Sequence, residues 1–159
     1  GYNRRDEING SLAHIIERRL EYSNNFTANQ LLLAMGTRCY GPPATLDKGV
    51  QALSAYARDV IGIPNGVFVE GSGISRHNRL SVRDMVTVLH HFRPYAHLMP
   101  HEGSEYYKTG TLKGVRTRVG YIDLVPGDRY RFALFRNRSS QTTAPIMRQV
   151  HRYLSTARK

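Results

Sequence analysis

Tyr106-Tyr107-Lys108-Thr109-Gly110-Thr111-Leu112 sets a cation, two hydroxyls and a glycine within one short run of aromatic and β-branched residues. Gly103 before it and Gly114 after it punctuate the ends, so the run reads as a strand. Alternation places Lys108 and Gly110 on one pleat and Thr109 and Thr111 on the other. A glycine inside a strand weakens it unless something must come close to the backbone there. Next to a lysine and two hydroxyls, a bound carboxylate fits that description. Chance also puts a Lys-Thr-Gly triplet into ordinary hairpins, so its meaning depends on what the rest of the chain brings to it.

Composition narrows the class. At 159 residues, 40% hydrophobic and 22% charged, the chain is a globular domain of one or two lobes that can bury a core. Lysine and arginine outnumber acids 23 to 12, a net charge of +11 with a pI near 10.2. Anionic partners follow: nucleic acid, acidic lipid or a polymer bearing carboxylates. The arginines gather late, at 116, 118, 129, 131, 136, 138, 148, 152 and 158, in part spaced by two. A solvated strand face accounts for them better than nucleic acid does, because no stacking aromatics or recognition helix accompany them. The longest apolar run, Leu31 to Met35, is far short of a membrane span. The opening Gly1-Tyr2-Asn3-Arg4-Arg5-Asp6 has no apolar core and does not read as a signal peptide, although a processed or truncated exported protein reads the same. Cys39 stands alone, which leaves no internal disulfide.

Working outward from the strand, helices come first. Ile8, Leu12, Ile15, Ile16 and Leu20 fall at helical spacing, and the helix should stop near Tyr22 because Ser23-Asn24-Asn25 is a turn or capping cluster. Asn25 or Thr27 is the expected cap of a second helix through Leu31, Leu32 and Met35 to Gly36. Gly41-Pro42-Pro43 breaks the chain, and Thr45 opens a third helix that Gly62 and Pro64 close. Val67-Phe68-Val69 leads into Glu70-Gly71-Ser72-Gly73, which is either a surface turn or a brace for a site. Ser81 with Asp84 marks a capping box whose helix buries Val82, Met85, Val86 and Leu89. His90, His91, His97 and His101 lack zinc-type spacing, so no metal or other cofactor is called. Val115 to Leu124 and Arg129 to Phe135, joined at Pro126-Gly127, complete a three-stranded antiparallel meander. A last helix from Thr143 and Pro145, with Ile146, Val150, Tyr153 and Leu154 inward, covers it. The fold class is α+β, with a helical lobe at about 1–100 and the sheet with its terminal helix at about 101–159.

Three pieces together, Ser23-Asn24-Asn25, Glu70 to Asn78 and Lys108-Thr109-Gly110-Thr111, resemble the penicillin-binding D-alanyl-D-alanine carboxypeptidase/endopeptidase family, of the β-lactamase/transpeptidase-like fold. The likeness runs roughly from Ile8 to Leu154, with glutamate at 70 where members often carry aspartate. It implies acyl transfer on the D-Ala-D-Ala end of a peptidoglycan stem peptide, with β-lactams as ligands and an extracytoplasmic, periplasmic setting. Ser23 is then the proton relay to the departing amine, and Asn25 holds the catalytic lysine and the substrate amide. Lys108 supplies positive charge. Thr109 and Thr111 bind the terminal carboxylate, with the Thr111 N–H as half of an oxyanion hole, and Gly110 keeps the strand edge clear. Glu70, Ser72 and Arg76 belong to a supporting loop.

One motif of that family is missing. Three residues before Lys48, Lys108, Lys113 and Lys159 stand Thr45, Glu105, Gly110 and Thr156, so the sequence has no Ser-x-x-Lys. The resemblance is therefore to the C-terminal part of such an enzyme, a partial fold of residues 1–159 that lacks nucleophile and base. Two consequences are expected: no catalysis alone, and an exposed strand edge and apolar groove that favour self-association. Competing readings are a non-catalytic peptidoglycan-binding module and, with less in its favour, a basic nucleic-acid-binding domain.

Overall fold

Helix, sheet and helix follow in the expected order. The computed structural model describes residues 4–125, 128–137 and 141–156, with side chains from Leu12 onward. Helices α1 (Arg4–Tyr22), α2 (Asn25–Tyr40) and α3 (Leu46–Tyr56) are followed by a π-helical turn, Ala57–Ile61. Then come α4 (Val82–Phe92) and a 3-10 stretch, Arg93–Leu98. The sheet comprises β1 (His101–Glu102), β2 (Glu105–Leu112), β3 (Val115–Val125) and β4 (Asp128–Asn137), and α5 (Ala144–Thr156) ends the described chain. All pairings are antiparallel in the order β1-β2-β3-β4. The expected meander is β2-β3-β4, and the two-residue β1 is an addition to it.

Caps decide the helix starts. Thr45 accepts from the Lys48 amide at 3.3 Å, and Ser81 with Asp84 forms a reciprocal capping box. The expectation for α2 needs correction at both ends. Asn24, not Asn25 or Thr27, is its cap, its Oδ1 accepting from the Thr27 amide at 3.0 Å. Nor does α2 stop at Gly36. The helix continues to Tyr40, and Gly36 is buried against Gly49 of α3. A Cβ on Gly36 would lie 2.4 Å from the Gly49 nitrogen, and one on Gly49 would lie 2.6 Å from the Leu32 carbonyl oxygen. The glycine there permits a close helix crossing instead of ending a helix.

The sheet has helices on both sides. On the pleat of Tyr106, Val119 and Tyr121, Leu89, Ala96 and Met99 form a core with Leu20 and Phe92. Burial of each large side chain in it stabilises the fold by roughly 1.5–3 kcal/mol. The Tyr121 hydroxyl is fully buried and donates to the Leu89 carbonyl at 2.6 Å, and burial pushes its pKa up to about 12. On the other pleat, α5 is tied down by Glu105, which Arg118 and His151 approach at 2.8 and 2.7 Å. Arg118 also lies 3.6 Å from the centre of the Tyr107 ring, and that ring's hydroxyl donates to Glu102 at 2.6 Å.

Several expected faces differ. Arg118 is not on a solvated strand face: its side chain is largely shielded and pairs with Glu105, which His151 of α5 also contacts. Leu12, Ile15 and Val82 remain exposed, and Tyr153 of α5 is 70% exposed instead of inward. The Ile8 side chain, the Pro126-Gly127 turn, Arg138 and Arg158 lie outside the described residues.

Candidate functional site

Ser23 and Lys108 meet, 85 residues apart in sequence, where α1 ends against β2. Ser23 is the one described residue other than glycine with a positive φ, at +52°, and its N–H donates to the Arg19 carbonyl at 3.0 Å. A left-handed residue commonly closes a helix, but serine bears a steric cost there that glycine does not. Strain of this kind gathers at functional sites. The closure turns the chain sharply into α2 and leaves the Ser23 hydroxyl facing the sheet, where the Lys108 ammonium donates to it.

Lys108 is half-buried. Burial lowers its pKa, and repulsion from Arg19 lowers it further. Burial also lowers that of Arg19. Asn25 lies in the first turn of α2, exposed, and its side chain makes no hydrogen bond among the described residues.

Thr109, Gly110 and Thr111 follow Lys108 along β2, across from Arg118, Thr117 and Arg116 of β3. Thr109 and Thr111 are exposed and occupy the opposite pleat from Lys108. On the other side β1 pairs only with Glu105 and Tyr106, so no strand among the described residues pairs with the edge beyond them. The Tyr107 amide points to that side, donating to the Pro100 carbonyl at 2.9 Å. Alternation turns the amides of Thr109 and Thr111 the same way, toward the open edge. Gly110 has an internal reason as well. A Cβ there would lie 2.5 Å from the Thr117 hydroxyl oxygen.

The Glu70 segment is a strut between the lobes. Its carboxylate accepts from the amides of Ser72 at 2.6 Å, Gly73 at 2.8 Å and Ser75 at 3.2 Å, from the Ser72 hydroxyl and from the Asn78 side chain. Burial works to raise the Glu70 pKa, but the hydrogen bonds from Ser72, Ser75 and Asn78 outweigh it and hold it below the ordinary glutamate value. Asn29 of α2 accepts from the Gly71 amide at 2.7 Å, and the Arg76 guanidinium donates to the Lys113 carbonyl at 2.5 Å, at the β2–β3 turn. One loop thereby fixes α2, which follows Ser23, relative to the strand that carries Lys108.

A concavity of about 870 Å³ lies elsewhere, lined by His90, Arg93, Asp123 and Arg129 among others. Asp123 and Arg129 pair there at 2.5 Å. No group of three or more His, Cys, Asp or Glu among the described residues is placed to hold a metal ion, and no described helix is long and apolar enough to cross a membrane. Arg19 is the residue that sequence reading passed over. It reads as one polar position on an amphipathic helix, and only the fold brings its charge to bear on Lys108.

Known proteins share this fold. The D-alanyl-D-alanine carboxypeptidase DacB of Haemophilus influenzae is 26% identical over 151 residues, covering 79% of this chain and 32% of that protein. Penicillin-binding protein 4 (DacB) of the same organism superposes with a TM-score of 0.78 as a complex with a novel β-lactam, and with 0.79 in a second structure. Both are 24% identical, cover 90% of this chain and cover 41% and 39% of the solved chains. A predatory endopeptidase from Bdellovibrio bacteriovorus, solved with an immunity protein, superposes at 0.67 with 19% identity, covering 92% of this chain and 43% of that one. The α+β fold is thus that of penicillin-binding protein 4, and the chain spans about a third of the curated relative it matches. With residues 10–100 matched, more than half of its length, the chain belongs to the D-Ala-D-Ala carboxypeptidase 3 (S13) family.

Proposed function

We propose that this chain is the C-terminal portion of a serine-type D-Ala-D-Ala carboxypeptidase that acts on peptidoglycan stem peptides by acyl transfer. The observation that carries this reading is the contact between the Ser23 hydroxyl and the Lys108 ammonium at the joint of helical lobe and sheet. In the whole enzyme a nucleophilic serine attacks the carbonyl of the penultimate D-alanine, and its lysine takes the proton. Ser23, whose hydroxyl both donates and accepts, passes that proton to the departing amine. Asn25 holds the nucleophile's lysine and the substrate amide. Lys108 stabilises the developing negative charge and attracts the terminal carboxylate, which Thr109 and Thr111 bind through their hydroxyls. The Thr111 amide is one half of the oxyanion hole, and Gly110 lets the substrate backbone approach. The Glu70–Ser72–Arg76 loop holds the two lobes in register.

Residues 1–159 form part of one transpeptidase-like domain under this proposal, and the parent works outside the cytoplasmic membrane, where its polymer lies. Without Ser-x-x-Lys, the chain retains binding donors but not the groups that open the bond. The same absence favours a second reading, a peptidoglycan-binding module that no longer catalyses. The residues encoded ahead of Gly1 separate the two, since a Ser-x-x-Lys there makes the chain a fragment.

Titration calorimetry with an N-acetylated peptide ending in D-Ala-D-Ala tests the shared core of both. The wild-type chain should bind it, and Lys108→Ala should weaken binding about tenfold or more, the value of a charged hydrogen bond. Equal affinity in the two proteins contradicts the proposal.

A further inference from the structure

We propose that Arg19 is a positioning residue of the Ser23–Lys108 site, a second cation that strengthens its hold on an anion. This rests on the reading of that site as a carboxylate receptor. Arg19 lies in the last turn of α1, and its own carbonyl closes the helix onto Ser23. Its Nε is buried and has no hydrogen-bond partner among the described residues. A buried guanidinium N–H left unpaired is costly, and such groups are commonly matched by a ligand or a neighbouring chain segment. No carboxylate of the described residues forms an ion pair with Arg19 or with Lys108.

The charge balance points the same way. Among the described residues, Arg19 is the charged side chain whose field acts on Lys108. On β3 the residue opposite Lys108 is Val119, which is apolar. An ammonium on the Ser23 hydroxyl and a guanidinium in the adjoining last turn of α1 are thus left with no ion-paired acid among the described residues. Their mutual repulsion is relieved when an anion enters, so each strengthens the other's attraction for it. The ligand class is a carboxylate, and Arg19 acts on it through the field and through Lys108 without touching the bond that reacts.

The test uses the whole chain with 15N-labelled lysine, which has only Lys48, Lys108, Lys113 and Lys159 to assign. Acetate and an N-acetylated D-Ala-D-Ala peptide are titrated while the Lys108 ammonium signal is followed in the wild type, Arg19→Gln and Arg19→Lys. Arg19→Gln should weaken acetate binding roughly three- to tenfold, in the range of one partly exposed charge pair. It should also move the Lys108 titration midpoint upward. Arg19→Lys keeps the charge and should restore both. Unchanged acetate affinity and midpoint in Arg19→Gln overturn the proposal, and so does failure of Arg19→Lys to restore them, because the role is then one of shape. If acetate responds as expected but the peptide binds no better than acetate, Arg19 stands and the D-Ala-D-Ala reading falls.

Discussion

The Ser23 hydroxyl accepts a hydrogen bond from Lys108 across 85 residues of sequence, from a backbone held at φ +52°. Neither residue holds the other in place unaided. α1 and the 3-10 stretch after α4 meet around the Tyr121 core, and the Glu70 loop connects α2 to the β2–β3 turn. The site therefore depends on packing well outside it.

The loop's dependence on one carboxylate makes it sensitive to acid. Because the Glu70 pKa is depressed in the fold, the stability it contributes is present above the unfolded value, about 4.3. That stability is lost as pH falls through the lower folded value. In an NMR titration, the amides of Ser72, Gly73 and Ser75 should move together with a midpoint below that of a free glutamate. Glu70→Gln should abolish the step and cost about 1–3 kcal/mol in urea unfolding. A midpoint at or above the free value contradicts the hub assignment.

At the α2–α3 crossing, Gly36→Ala or Gly49→Ala should be destabilising by roughly 1–3 kcal/mol, because the added methyl meets backbone that cannot turn aside. Denaturant midpoints measure this directly. A change under about 0.5 kcal/mol at both positions shows that the helices are not in such close contact.

Those glycines also show where local sequence reading stops. Gly36 looks like a helix stop because glycine after an apolar run commonly is one. What requires a glycine there is the approach of Gly49, thirteen residues on, and no window around residue 36 contains that information. Arg118 is similar. Its spacing from Arg116 fits a wet strand face, and only the docking of α5 with His151 shows that face to be covered. By contrast, the Ser81 capping box, the Thr45 cap and the meander rest on neighbours in sequence or on alternation, and these were legible. Ser23 and Lys108 were legible as residue types in a familiar pattern. Their contact, and the charge of Arg19 beside it, belong to the tertiary fold.

Apolar side chains near the site stay exposed, including Tyr22 at 63%, Phe26 at 72% and Ile74 at 53%, and the edge of β2 beyond Tyr106 pairs with no strand among the described residues. Surfaces of this kind tend to be covered. Sedimentation across a concentration series should show reversible self-association that weakens in Phe26→Ser. A well-folded protein that is strictly monomeric at every concentration contradicts this.

Mass spectrometry of the chain with excess benzylpenicillin, under native conditions and again after denaturation, tests most directly the claim that it carries a binding and proton-relay half-site without a nucleophile. The expected result is a reversible complex in the native spectrum, lost in Lys108→Ala, and an unmodified mass once the protein is denatured. A stoichiometric covalent adduct on the denatured chain, or a wild-type protein that forms no complex at all, would contradict it.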